Sequence, residues 1–90
     1  MVSVSERKAL RSRVLHEVYE RSGGTSALVS AAGVREALGV DDQEMAAACE
    51  YLAGEGLVML EADTFGTTAS PSLIALTHRG VVRVEESIGD

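Results

Sequence analysis

The sequence predicts a small α+β domain in which helix dominates, and three observations predict it. Apolar residues recur every three or four positions in separate stretches, the spacing of amphipathic helices. Each such stretch opens on a Ser, Asp or Thr, and the first three close on glycine, which is the chemistry of helix caps. Toward the C-terminus, two short apolar runs flank a segment rich in Gly, Thr, Ser and Pro, the pattern of a hairpin with a long tip.

The first helix is expected over residues 5–22. Ser5 caps it, Glu6 suits the positive end of its dipole, and Leu10, Val14 and Val18, joined by Leu15 and Tyr19, form its apolar stripe. Arg7, Lys8, Arg11 and Arg21 fall mostly on the other side, and Gly23-Gly24 stop the helix. Residues 25–29 read as a minimal strand. A short second helix follows over 30–38, capped by Ser30, with Val34 and Leu38 on one face and Gly39 at its end. The third helix begins at once. Asp41-Asp42-Gln43-Glu44 has the spacing of a capping box, and Met45, Ala48, Cys49 and Leu52 stand at i, i+3, i+4 and i+7. Gly54 and Gly56 close it. Residues 57–62 and 73–76 are expected strands, joined by the tip at 63–72. Thr77 caps a last helix carrying Val81, Val84 and Ile88.

A chain of 90 residues is one domain, near the small end of what folds alone. Only three residues are aromatic, so the core must be built from aliphatic side chains and Met. No apolar run approaches the ~18 residues that a membrane span needs. Residues 1–13 lack the apolar centre of a signal peptide, so a cytoplasmic protein without membrane contact is expected. The one cysteine, Cys49, excludes an internal disulfide.

The net charge of −6 is unevenly spread. Residues 1–35 carry Arg7, Lys8, Arg11, Arg13, Arg21 and Arg35 against Glu6, Glu17 and Glu20, a net of +3. Residues 36–78 carry no Lys or Arg and eight carboxylates, a net of −8. The acidic half therefore includes the whole third helix and the hairpin, and the basic excess sits on the first helix.

Three stretches carry a resemblance. Glu50-Tyr51-Leu52-Ala53-Gly54-Glu55-Gly56-Leu57-Val58 looks like the exit from the third helix into the hairpin of the winged helix-turn-helix superfamily. Ala75-Leu76-Thr77-His78-Arg79-Gly80-Val81 is similar to that superfamily's passage from the hairpin, or wing, into the last helix. Residues 34–41 resemble its helix-turn-helix joint. The resemblance covers nearly the whole chain and implies one winged-helix domain over residues 1–90. It implies that the third helix and the wing tip are the contact surfaces. It also implies a homodimer with the first and last helices as the seam. These stretches report backbone geometry, so they specify fold better than function.

In the superfamily the third helix usually reads the major groove of DNA, and its reading positions fall here on Asp41, Asp42, Gln43, Glu44, Ala46, Ala47 and Glu50. Only Gln43 is an ordinary base reader. DNA affinity comes largely from Lys and Arg against phosphates, and neither this helix nor the wing tip carries one. The charge thus disfavours duplex DNA as the ligand of the third helix. The surface expected instead is a protein-binding one, formed by Asp42, Gln43, Glu44, Ala46, Ala47 and Glu50 with Phe65 from the wing tip. Its partner is either a protein with a basic surface or a second copy. Phe65 is an aromatic among small polar residues, which suits an anchor, although packing on the hairpin base would also account for it. Ala46-Ala47 leaves a flat patch that another helix could approach. Arg7, Lys8 and Arg11 are the candidate nucleic-acid or dimer contact. The alternative reading is a small DNA-binding transcriptional regulator that acts as a dimer through the first helix or the rim rather than through the third helix.

No enzymatic residue set is present, and no cofactor or metal is expected. Cys49 lies on a buried stripe with nothing basic within a turn, the setting of an inert thiol. His16 and His78 lack zinc-ligand spacing. Asp41-Asp42 and Glu85-Glu86 are adjacent pairs whose side chains point apart on a helix.

Overall fold

A computed structural model describes residues 3–61 and 71–88. The elements are α1 (Val4–Ser22), β1 (Val29–Ser30), α2 (Ala31–Leu38), α3 (Asp42–Gly54), β2 (Val58–Glu61), β3 (Leu73–Leu76) and α4 (His78–Ile88). The fold is a small α+β unit in which the helices pack on a three-stranded antiparallel sheet of order β1-β3-β2. Residues 62–70, which include Asp63 and Phe65, lie outside the described residues, so the expected wing-tip anchor does too.

Two expected boundaries are corrected. The cap of α1 is Ser3, not Ser5: its hydroxyl accepts from the Glu6 amide at 3.1 Å. Ser3 has Glu6 three residues on, the capping-box pairing, whereas Ser5 has Lys8 there. The strand expected over 25–29 shrinks to Val29–Ser30. The Thr25 hydroxyl donates to the Ser22 carbonyl at 2.8 Å and accepts from the Ala27 amide at 3.2 Å. This local turn removes those groups from any strand ladder.

The remaining elements follow their sequence signals. Ser30 caps α2 by accepting from the Gly33 amide at 3.1 Å, and Asp41 caps α3 by accepting from the Glu44 amide at 2.8 Å. Gly54 is the last helical residue of α3, and the chain leaves at Gly56, whose φ of 74° is left-handed. There the Gly56 amide reaches the Ala53 carbonyl and the Leu57 amide reaches the Leu52 carbonyl, both at 3.0 Å, a Schellman ending. β2 and β3 pair from Val58↔Leu76 to Glu61↔Leu73, and β1 joins through Val29↔Ile74.

One joint links the exit from α3 to the start of α4. Thr77 donates through its amide to the Leu57 carbonyl at 3.0 Å and through its hydroxyl to the Gly56 carbonyl at 2.6 Å. The same hydroxyl accepts from the Gly80 amide at 3.1 Å and so caps α4. The two sequence stretches at 50–58 and 75–81 are therefore hydrogen-bonded to each other.

The core contains Val14 and Val18 of α1, Val34 of α2, Met45 and Leu52 of α3, Ile74 and Leu76 of β3, and Val84 of α4. It is aliphatic, as the shortage of aromatics requires, and no polar or charged residue among those described is buried. Ile88 is an exception to the expected stripe of α4 and stands exposed. Among the described residues no helix is long and apolar enough to cross a membrane.

Candidate functional site

With Met45, Ala48, Cys49 and Leu52 turned inward, α3 presents Gln43, Ala47, Glu50 and Tyr51 to solvent, and Asp42, Glu44 and Ala46 are half-buried. Its first turn carries Asp42 and Glu44 and its last turn carries no cation. The positive end of the α3 dipole is thus already served by Asp41 through its cap and by these two carboxylates.

The basic residues of the first 35 divide into two groups. Arg13 donates to the Leu38 carbonyl at 3.3 Å, and Arg35 to the Val40 carbonyl at 3.3 Å, so both hold the α2–α3 turn. Arg21 pairs with Glu17 at 2.8 Å and reaches the Gly33 carbonyl at 3.3 Å. These three serve the fold. Arg7 and Lys8 are exposed and make no ion pair among the described residues. Arg11 is half-buried, with its guanidinium 3.5 Å from the centre of the Tyr51 ring. This stacking of a cation on an aromatic face ties α1 to α3.

The two candidate surfaces read separately from the sequence meet in one groove of about 310 Å³ between α1 and α3. Arg7, Leu10 and Arg11 line it from α1, and Gln43, Glu44 and Ala47 from α3. No ion pair crosses it among the described residues. Asp42, Ala46 and Glu50 are not part of its lining, and Lys8 belongs to a second groove of about 360 Å³ beyond Arg11. Its lining holds Lys8, Arg11, His16 and Arg83, with Tyr51 beneath Arg11 and Glu55 as the carboxylate.

Tyr51 is the participant that sequence reasoning missed. The signal was present: helical spacing puts it outside the buried stripe 45, 48, 49 and 52, where an aromatic needs another reason to be. Its pairing with Arg11, forty positions away, had no signal.

The expected dimer seam on α1 and α4 is partly used within the chain. These helices pack on each other, the Tyr19 hydroxyl donates to the Glu85 carboxylate at 2.9 Å, and Ser87 Oγ lies 3.1 Å from His16 Nε2. The Glu85 carboxylate, as hydrogen-bond acceptor and neighbouring negative charge, together with burial, raises the Tyr19 phenol above its ordinary value.

Cys49 is buried, and burial pushes its thiol from an ordinary value of 9.0 up to about 11. The folded state holds this proton where the unfolded chain releases it. The contribution is fully present below the unfolded value and is lost as pH rises through the folded one. We expect stability to fall between pH 9 and about 11 in the native protein and less so in Cys49→Ala, as read by urea denaturation across pH. Equal pH profiles would mean that other groups set the alkaline limit.

No protein-family model matches the chain, and no match was found among curated proteins or among solved structures.

Proposed function

We propose that the chain is a non-catalytic winged-helix domain that acts by binding a protein surface of basic character through α3 and the groove beside it. The element order, with a short strand before α2 and a hairpin before α4, supports the winged-helix reading, as does the joint at Thr77. The observation that carries the binding mode is the charge of α3. Its outward face bears Gln43, Glu44 and Glu50 and no cation, beside an open groove whose lining includes Leu10 and Ala47. Such a helix repels phosphates and attracts Lys and Arg.

The second reading is a small transcriptional regulator that holds DNA as a dimer. What favours it is the second groove, whose lining includes Lys8, Arg11, His16 and Arg83 and could track a phosphate backbone without the acidic start of α3.

An amide NMR titration separates the two. A lysine-rich peptide added at low salt is expected to shift residues 42–51 and the groove, and Glu44→Arg is expected to abolish those shifts. A mixed-sequence DNA duplex is expected to leave α3 unmoved. DNA shifts along 41–53 would overturn the protein-binding reading. Shifts confined to 5–21 and 83, lost at moderate salt and in the Arg7, Lys8 and Arg11→Glu variant, would establish the second.

A further inference from the structure

The groove between α1 and α3 holds opposite charges on facing walls, and neither set is neutralised by the other. Arg7 and Arg11 stand on the α1 side and Glu44 on the α3 side, Leu10 and Ala47 share the lining, and no ion pair spans the gap among the described residues. Arg11 is held in place by its stacking on Tyr51, so the cationic wall is partly ordered before anything binds. Val4, one turn before Arg7 and Lys8 on α1, is an apolar side chain with 67% exposure at the end of the same helix. A surface of this kind has an unusual property. It is complementary to itself.

We infer that the occupant of this groove is a second copy of the chain, docked about a two-fold axis that runs along the groove. This inference rests on the interaction reading above and names its partner: the required basic surface is the chain's own α1. A rotation about an axis along the groove exchanges left and right. It therefore lays the arginine wall of each copy over the Glu44 wall of the other, twice over, which is the geometry of an isologous interface. A two-fold axis across the groove would instead set like charge against like. Leu10 and Ala47 add apolar surface to the same lining, and Ala47 is small and exposed. The same logic explains the uneven charge. A chain with a net of +3 over 1–35 and −8 over 36–78 carries both halves of an electrostatic fit.

The test is sedimentation velocity on the full chain across micromolar to millimolar concentrations, with far-UV circular dichroism to verify folding. Wild type is expected to dimerise, less tightly as salt rises. Glu44→Arg makes both walls cationic, and Arg7→Glu with Arg11→Glu makes both anionic. Each variant alone is expected to dimerise at least about tenfold more weakly. Mixed in equal amounts, the two are expected to form a heterodimer, because an all-cationic groove then meets an all-anionic one. That rescue cannot come from misfolding. A wild-type chain that stays monomeric, or a dimer indifferent to both reversals, overturns the second-copy assignment. If that monomer still binds the lysine-rich peptide through Glu44, the interaction reading survives; if it binds neither, both readings fall.

Discussion

Gly80→Ala is expected to unfold or severely destabilise this protein, although alanine is the better helix former. Gly80 lies in the first turn of α4 and is buried. A Cβ at this position would fall on the backbone carbonyl oxygen of Leu57, well inside contact distance, and would also sit 3.3 Å from the Leu76 Cδ2 methyl. Two effects oppose each other. Replacing glycine by alanine inside a helix gains at most about 1 kcal/mol from propensity. Forcing an atom into a filled site costs about 1–3 kcal/mol when side chains can move aside, and more when the obstacle is backbone. Here the obstacle is backbone, and that carbonyl also accepts the Thr77 amide at 3.0 Å. Displacing it disturbs the joint between the exit from α3 and α4. Gly54→Ala is the control: Gly54 is helical, and its Cβ would meet nothing within 4 Å. Urea denaturation should show Gly54→Ala stabilised by about 0.5–1 kcal/mol and Gly80→Ala destabilised by about 3 kcal/mol or more. Comparable stabilities for the two variants would mean that α4 can shift away from Leu57 at little cost.

Gly80 also marks how far the sequence could be read. The spacing of Thr77 and Gly80 identified a helix start, but nothing in the sequence said that Leu57 would lie against that glycine. Local signals were legible because caps and stripes act within one turn. Ser30, Asp41 and Thr77 cap where expected, and the inward stripe of α3 is the one its spacing gave. The failures were local signals in competition. Ser3 and Ser5 could each cap α1, and Glu6 decides for Ser3; residues 25–27 look like a strand until the Ser22 and Thr25 side chains close a turn.

The candidate site was legible in part of its residues, with Tyr51 missed, and not in their arrangement. Charge alone drew attention to the first helix and to the third, but as separate candidates. Their convergence depends on how α1 lies across α3, which the helix crossing settles and the sequence does not state. The arginines show the same limit. All of those in the first 35 residues look alike in sequence, yet Arg13, Arg21 and Arg35 tie backbone carbonyls together, Arg11 covers an aromatic ring, and Arg7 remains outward beside Lys8.

Ile74→Ala should remove a large part of the stability and leave the groove chemistry alone. Ile74 is fully buried on the central strand, flanked in register by Val29 and Leu60. Truncating a buried isoleucine loses its transfer free energy and leaves a cavity, together about 2–5 kcal/mol. A domain of this size has roughly 5–13 kcal/mol in total, so the change is a large fraction. At about 4–8 °C per kcal/mol, it corresponds to a Tm lower by roughly 8–40 °C. At a temperature where this variant is still folded, its self-association should equal that of wild type, because Ile74 is no part of either groove. Glu44→Arg should behave in the opposite way, with association weakened and stability changed by no more than about 1 kcal/mol, since Glu44 is only half-buried and its amide, which donates to the Asp41 cap, is retained. Thermal melts and sedimentation on the two variants test this directly. If both variants lost stability and association together, the groove would be a consequence of the core rather than a binding surface built on it.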